Sequence, residues 1–275
     1  MPTYIDADDV RRACGAPTSL ISDADINSAI DIVEPLVERM MNTKFTPTTA
    51  IETQDGTNKG STFTAKNPLL GVRYLEINDT SIDLDDINIY QPSGQISLKN
   101  TAGTSIFLVK EKNVIIKYLY GMLNETSTST TTTAAASAGS TVSVAVTSSA
   151  SFTAEDWIVI YGTDGNREHA QISAIADSTH VTLDQIGQDH ASGSLVVEVL
   201  IPYYIKRMME IEAGIYVAIN AIGSTYTFNT SYTLGELTVN KGEPYPQWNS
   251  VFQRMQSERK YLNSLIKIRP SIVVN

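Results

Sequence analysis

Sixteen consecutive residues, TSTSTTTTAAASAGST from Thr126 to Thr141, are all Ser, Thr, Ala or Gly. No side chain in that run is large enough to build a core, so it reads as a solvated, flexible link that marks a domain edge. Five short segments rich in β-branched residues follow: VSVAV from Val142, DWIVIYG from Asp156, HAQISAIA from His169, HVTLD from His180 and SLVVEVL from Ser194. Turn chemistry separates them, with Thr163-Asp164-Gly165-Asn166 and Asp177-Ser178 as hairpin signals and residues 189–193 as a longer loop. Five strands in so short a stretch predict a small, barrel-like all-β module over 126–200.

The flanks have other periodicities. Asp6 is placed to cap a helix ending at Cys14, with Gly15 and Pro17 as its stop, and Ser22 or Asp23 to cap a second. In the second, Ile26, Ile30, Val33, Val37 and Met40 form an apolar stripe, and Pro35 should kink it. From Phe45 to Gly121 the period falls to two: TAIETQ, STFTA, RYLEI, INIYQ, QISLK and NVIIKYLYG read as antiparallel strands. Pro202 then opens a helix with Tyr204, Met208, Ile211, Ile215, Ala218 and Ile222 on one face, stopped by Gly223. Pro246 opens a last helix striped by Trp248, Phe252, Met255, Leu262 and Leu265. Between them, 224–244 is a long polar loop or hairpin. Removing 126–200 would join KYLYG to IPYYIKRMMEIEAG across a short turn, so the module is expected to be an insertion in a discontinuous core of 1–125 and 201–275. The expected class is α+β: a helical core with antiparallel strands plus an inserted β domain.

Thirty acidic against twenty basic residues give a net charge of -10, which opposes tight wrapping of nucleic acid through a basic face. The charge is uneven: residues 1–38 hold eight acids and two bases, and residues 250–275 hold five bases and one acid. That asymmetry suits head-to-tail packing of identical subunits or docking onto an acidic neighbour, or else two ordinary solvated helix faces. The single cysteine, Cys14, excludes an internal disulfide framework and reads as a small buried thiol. No apolar run is long enough to cross a bilayer, and MPTYIDADDVRR has no apolar signal core, so a soluble product without a classical leader is expected.

Reactive motifs are sparse. His169, His180 and His190 lie near Asp164, Glu168 and Asp189 in the module, yet their spacing fits no ligand set, and solvated strand ends and turns are the expectation. Asp83, Asp85 and Asp86 lack the glycine and glutamate of a calcium loop and read as an acidic turn. GTNKGS, residues 56–61, lacks the ending of a phosphate loop and reads as a hairpin turn. No nucleophile elbow or zinc-protease signature occurs. The expectation is a protein without enzymatic activity, cofactor or metal.

YIDADDVRRACG with LISDADINSAIDIVEPLVERMMNTKF, then LLGVRYLEINDTSIDLDDINIY, then NVIIKYLYG leading to IPYYIKRMMEIEAGIYVAI, resembles the head-to-tail adaptor (connector) proteins of tailed bacteriophages. The resemblance spans most of the discontinuous core and lies in the order of elements. It implies a virion protein forming a homo-oligomeric ring, a dodecamer in the family, beneath the portal protein. The ring would extend the DNA channel without binding DNA specifically and dock neck or tail-completion proteins. It also implies that the β-prone tail, with Lys267, Ile268, Arg269, Ile272, Val273 and Val274, docks on the portal; the residues alone leave open whether the tail folds back or adds to another chain's sheet. In that reading Tyr226, Tyr232, Glu236 and Lys241 face the lumen or next ring, and Met208, Ile211, Ile215, Trp248, Phe252 and Met255 pack core and subunits. The module projects outward, with Trp157, Tyr161, Asp164 and Arg167 on its surface and the capsid as a further contact. The alternative is a decoration module whose β domain, through Trp157 and Tyr161, binds a glycan or capsid surface. A hydrolase using Asp164, Glu168 and His169 stands a distant third.

Overall fold

A computed structural model describes residues 4–15, 21–99, 106–163, 165, 167–225, 231–234, 237–240 and 245–267. In chain order the elements are α1 Ala7–Cys14, α2 Asp23–Met41, β1 Thr48–Gln54, β2 Ser61–Phe63, β3 Leu69–Ile77 and β4 Thr80–Ser81. Then come β5 Ile87–Tyr90, β6 Gln95–Leu98, β7 Val114–Tyr120, β8 Asn124–Thr131, β9 Gly139–Ala145 and β10 Trp157–Tyr161. The chain continues through β11 Arg167–Asp177, β12 His180–Ile186, β13 Leu195–Leu200, α3 Tyr203–Thr225, β14 Ser231–Leu234, β15 Leu237–Asn240 and α4 Tyr245–Lys267. Two compact units result: a helical one, Met1–Met41 with Tyr203–Asn275, and a β one, Asn42–Pro202. The division thus falls at 41/42 and 202/203, so residues 42–125 group with the strands of 126–200 and not with the helices.

In the helical unit, the Asp6 side chain accepts the Asp9 N–H and Asp9 returns the bond to the Asp6 N–H, closing a capping box, while Gly15 ends α1 at φ 65°. Ser22 Oγ accepts the Asp25 N–H at 3.2 Å at the start of α2. Ile26, Ile30, Val33 and Val37 are buried as the stripe requires, but Met40, expected with them, is 53% exposed. Buried Glu34 accepts the Tyr4 N–H at 2.5 Å and the Ile5 N–H at 3.1 Å, tying the incoming chain to α2; burial raises its pKa against those bonds. Helix α3 continues through Gly223 to Thr225, beyond its expected stop. A Cβ at Gly214 would lie 3.1 Å from Met255 Sδ and 3.4 Å from Cys14 Cβ, so α1, α3 and α4 meet at that glycine. Cys14 is the buried thiol expected. Residues 224–244 contain the hairpin β14–β15, with Tyr232 opposite Val239.

The β unit holds a four-stranded sheet ordered β1-β7-β3-β4, a three-stranded one ordered β2-β6-β5, and a six-stranded one ordered β8-β13-β10-β11-β12-β9. Every ladder is antiparallel. Leu69, Val72, Leu75, Ile87, Ile96, Val114, Ile116 and Tyr118 share one core. On β10, Ile158 and Ile160 enter a second core with Ile172, Leu183 and Val196, while Val159 packs with Val197 and Val199 in a third. Alternate residues of one strand thus feed opposite faces of the sheet.

Three expectations fail here for physical reasons. The run from Thr126 is not a flexible link: its first part forms β8, paired with β13 from Asn124 opposite Leu200 to Thr131 opposite Leu195, and its end begins β9. Threonine is β-branched and suits a pleated ladder, and Thr126 Oγ1 donates to Glu198 at 2.9 Å, so small side chains did not mean a loose backbone. The module has six strands, and among the described residues they form no closed barrel. Edge strands β8 and β9 share no ladder and meet just beyond their ends, at the Thr132–Val146 bridge, where the Thr133 N–H donates to Ala145 O and the Thr147 N–H to Thr131 O, each at 2.9 Å. Residues 56–61 are not a hairpin turn, because β1 and β2 belong to different sheets. A Cβ at Gly56 would sit 1.6 Å from Leu108 O, so the glycine serves a close backbone approach.

Candidate functional site

The strongest concentration of buried polar groups lies inside the β unit, where β3 and the turns beside it meet β11 and the loop after β12. Arg73 sits on β3 among apolar neighbours, and Glu168 and His169 sit on β11. Arg73 Nη1 donates to Glu168 Oε1 at 2.5 Å, with the two side chains 4% and 1% exposed. Arg73 Nη2 donates to His169 O at 2.8 Å. The same carboxylate accepts the Gly187 N–H at 2.7 Å and the Gln188 N–H at 3.2 Å. Gln188 Nε2 donates to Leu84 O at 2.7 Å, and the Asp189 N–H donates to Asp85 Oδ1 at 3.1 Å. Gln91 Nε2 bonds Leu70 O at 3.2 Å and Arg167 O at 3.3 Å. The result is a sealed polar seam joining residues 70–91 to residues 167–190.

Gly187 is what lets the strands close on this seam: a Cβ there would lie 2.7 Å from Val72 O, 2.8 Å from Leu84 Cδ1 and 3.1 Å from Glu168 Oε1. Burial holds the His169 imidazole down at about 4, against a hydrogen bond to Leu70 O and with help from Arg167 and Arg73. The ring is therefore neutral near pH 7, and its Nδ1, 3.0 Å from Leu70 O, carries the proton it donates there. His190 is also buried, with Nε2 3.5 Å from Glu168 Oε2 and neither ring nitrogen in a hydrogen bond. Of the three histidines expected in solvent only His180 is not buried; it lies half-exposed beside Asp177. Strand alternation turns His169 inward, and the return of the chain at Ala136 holds His190, whose N–H and C=O both bond that residue at 2.8 Å. Asp83, Asp85 and Asp86 form a 3-10 turn that Asp83 caps, and Asp85 stitches to Asp189. A carboxylate 1% exposed presents no face to a substrate, so the cluster can fix geometry but cannot reach one.

Trp157 and Tyr161, expected on the module surface, are half-buried against Val159, Val197 and Val199 with Leu123, and the Tyr161 hydroxyl donates to Glu125. Arg167 is half-buried and Asp164 lies outside the described residues. Met208, Ile211, Ile215 and Met255 are buried in the chain's own helical core, which removes them as contacts for another subunit; Phe252 is half-buried. Trp248 lies on α4, its side chain outside what is described. Tyr226, Glu236, Lys241 and the tail 268–275 also lie outside the described residues, and Lys267 ends α4.

The sequence reading missed Arg73, Gln91, Gly187 and Gln188. One signal was available: an arginine within LLGVRYLEI and a glutamate within REHAQISAI each interrupt an apolar strand, and charges so placed are buried only when paired. The other missed feature is a surface. On α2, Ile32, Leu36 and Met40 are 48%, 47% and 53% exposed at a spacing of four, beside the buried stripe of the same helix. Elsewhere in the helical unit Tyr203 and Tyr261 are 76% and 62% exposed.

No protein-family model matches this chain, and no curated protein matches it. No described helix is long and apolar enough to cross a membrane.

Proposed function

We propose that this chain is a non-enzymatic structural protein of a tailed-bacteriophage virion, a ring-forming head-to-tail adaptor that binds beneath the portal and offers its other face to neck or tail proteins. The observation that carries the reading is α2, a helix with one apolar stripe spent on its own core and a second, Ile32, Leu36 and Met40, left on the surface. A contiguous exposed apolar stripe marks a protein contact more than a monomer's surface. The sealed seam around Glu168 supports the same reading, since it welds the strands of 126–200 to those of 69–91 as a rigid part and leaves no accessible acid-base group there. The charge of -10 suits a channel through which a polyanion slides. The glycan-binding alternative is less favoured, since Trp157 and Tyr161 are half-buried against Val159, Val197 and Val199.

Portal binding tests the reading. Full-length protein mixed with the portal should co-migrate as one complex, and a chain stopped at Ile266 should bind far more weakly. Full-length protein indifferent to the portal would remove the adaptor reading.

A further inference from the structure

Resting on the ring reading, we propose that neighbouring copies join through two different patches of the helical unit: the α2 stripe of one copy seats on the Tyr203–Tyr261 end of α3 and α4 in the next. Helices α3 and α4 pack on each other: Arg207 bonds Glu258 at 2.7 Å, Glu212 pairs with Arg259, and Gly214 lies against Met255. Tyr203 precedes Arg207 by one turn of α3, and Tyr261 follows its partner Glu258 by one turn of α4. Both tyrosines are exposed, and so is Lys260, the residue before Tyr261, with no ion pair to another described residue. Lys206, one turn along, is engaged by Asp9 at 3.0 Å.

The two patches are complementary. The α2 stripe is aliphatic, with exposed Asp25 and Asp31 toward its N-terminal end; the other end is aromatic and cationic. The wider charge follows suit, acidic over residues 1–38 and basic over 250–275. Opposite charge around an apolar centre fixes the register of a contact more than it adds affinity. Because the patches differ, each copy uses one to hold a neighbour and the other to be held, and a repeated contact of that kind makes a ring when its rotation closes. The occupant of the α2 stripe is therefore a second copy of this chain.

The test is cross-copy disulfide formation in the full-length protein, with Leu36→Cys and Tyr261→Cys made singly and together. Both positions are exposed, Cys14 is buried, and parent protein carried through the same oxidation gives the background. The double variant should give a disulfide-linked ladder of multiples that collapses to monomer on reduction, an equal mixture of the two single variants should give mixed dimers, and each single variant alone should give neither. Leu36→Asp should weaken assembly at least about tenfold while keeping the parent's circular dichroism. Leu36→Cys cross-linking to itself would mean a two-fold contact and overturn the proposal. Ring-sized parent particles without the double-variant ladder would place the interface elsewhere and leave the ring reading standing, whereas a parent that stays monomeric alone and with portal would end both.

Discussion

Replacing Arg73 with methionine keeps much of the side chain's bulk and removes the one guanidinium that faces Glu168. The carboxylate, 1% exposed, would keep the Gly187 and Gln188 N–H groups and lose its cation. Breaking one partner of a buried pair costs about 3–5 kcal/mol, because the other charge is left uncompensated. The lost bond to His169 O lies within the same cost and is not added to it. For a β unit of about 160 residues, Asn42–Pro202, each kcal/mol moves the midpoint by about 2–4 °C, so the expected drop is about 6–20 °C. Circular dichroism at strand wavelengths reads that drop, and hydrogen exchange localises it: the Gly187 and Gln188 amides should lose protection first. Adding Glu168→Gln to Arg73→Met should recover part of the loss, since the amide carries no charge and its oxygen still accepts one of the two N–H groups that the carboxylate holds. A single variant within about 2 °C of the parent, or a double variant no better than the sum of the singles, would refute the claim that this pair locks the β unit.

Three further outcomes follow from the same geometry. His169, held at about 4 in the fold and near 6.5 when unfolded, binds fewer protons folded than unfolded between those values. Its contribution is complete above about pH 6.5 and is lost as pH falls toward 4, about 2 kcal/mol between pH 7 and pH 5, and urea titrations of the parent against His169→Gln should show that slope only in the parent. Gly187→Ala should lower β-unit stability by about 1–3 kcal/mol, because Val72 O is backbone and cannot step aside, and thermal melts measure it. Deleting 126–200 should not leave the remaining strands intact: Arg73 loses Glu168 and His169 O, Gln91 loses Arg167 O, and protease digestion should cut residues 70–91 faster than in the parent.

Local chemistry was legible in the sequence, and long-range pairing was not. Asp6 and Gly15 bound α1 because caps act within a few residues. β1, β3 and β7 were readable because each alternates or runs apolar against one core. β8 was unreadable because a Ser/Thr ladder has no hydrophobic alternation, and its partner β13 begins more than sixty residues later. The Glu168 seam depended on a meeting between residues 95 positions apart, which periodicity cannot register. On α2 the period found the buried stripe but assigned Met40 to it, although Met40 continues Ile32 and Leu36 on the exposed face.

The ring itself is tested most directly by the mass of the full-length protein in native mass spectrometry, alone and with portal. The account predicts a discrete multimer, closed and of one size, that forms on the portal if not before. A mass of one chain under both conditions would contradict it.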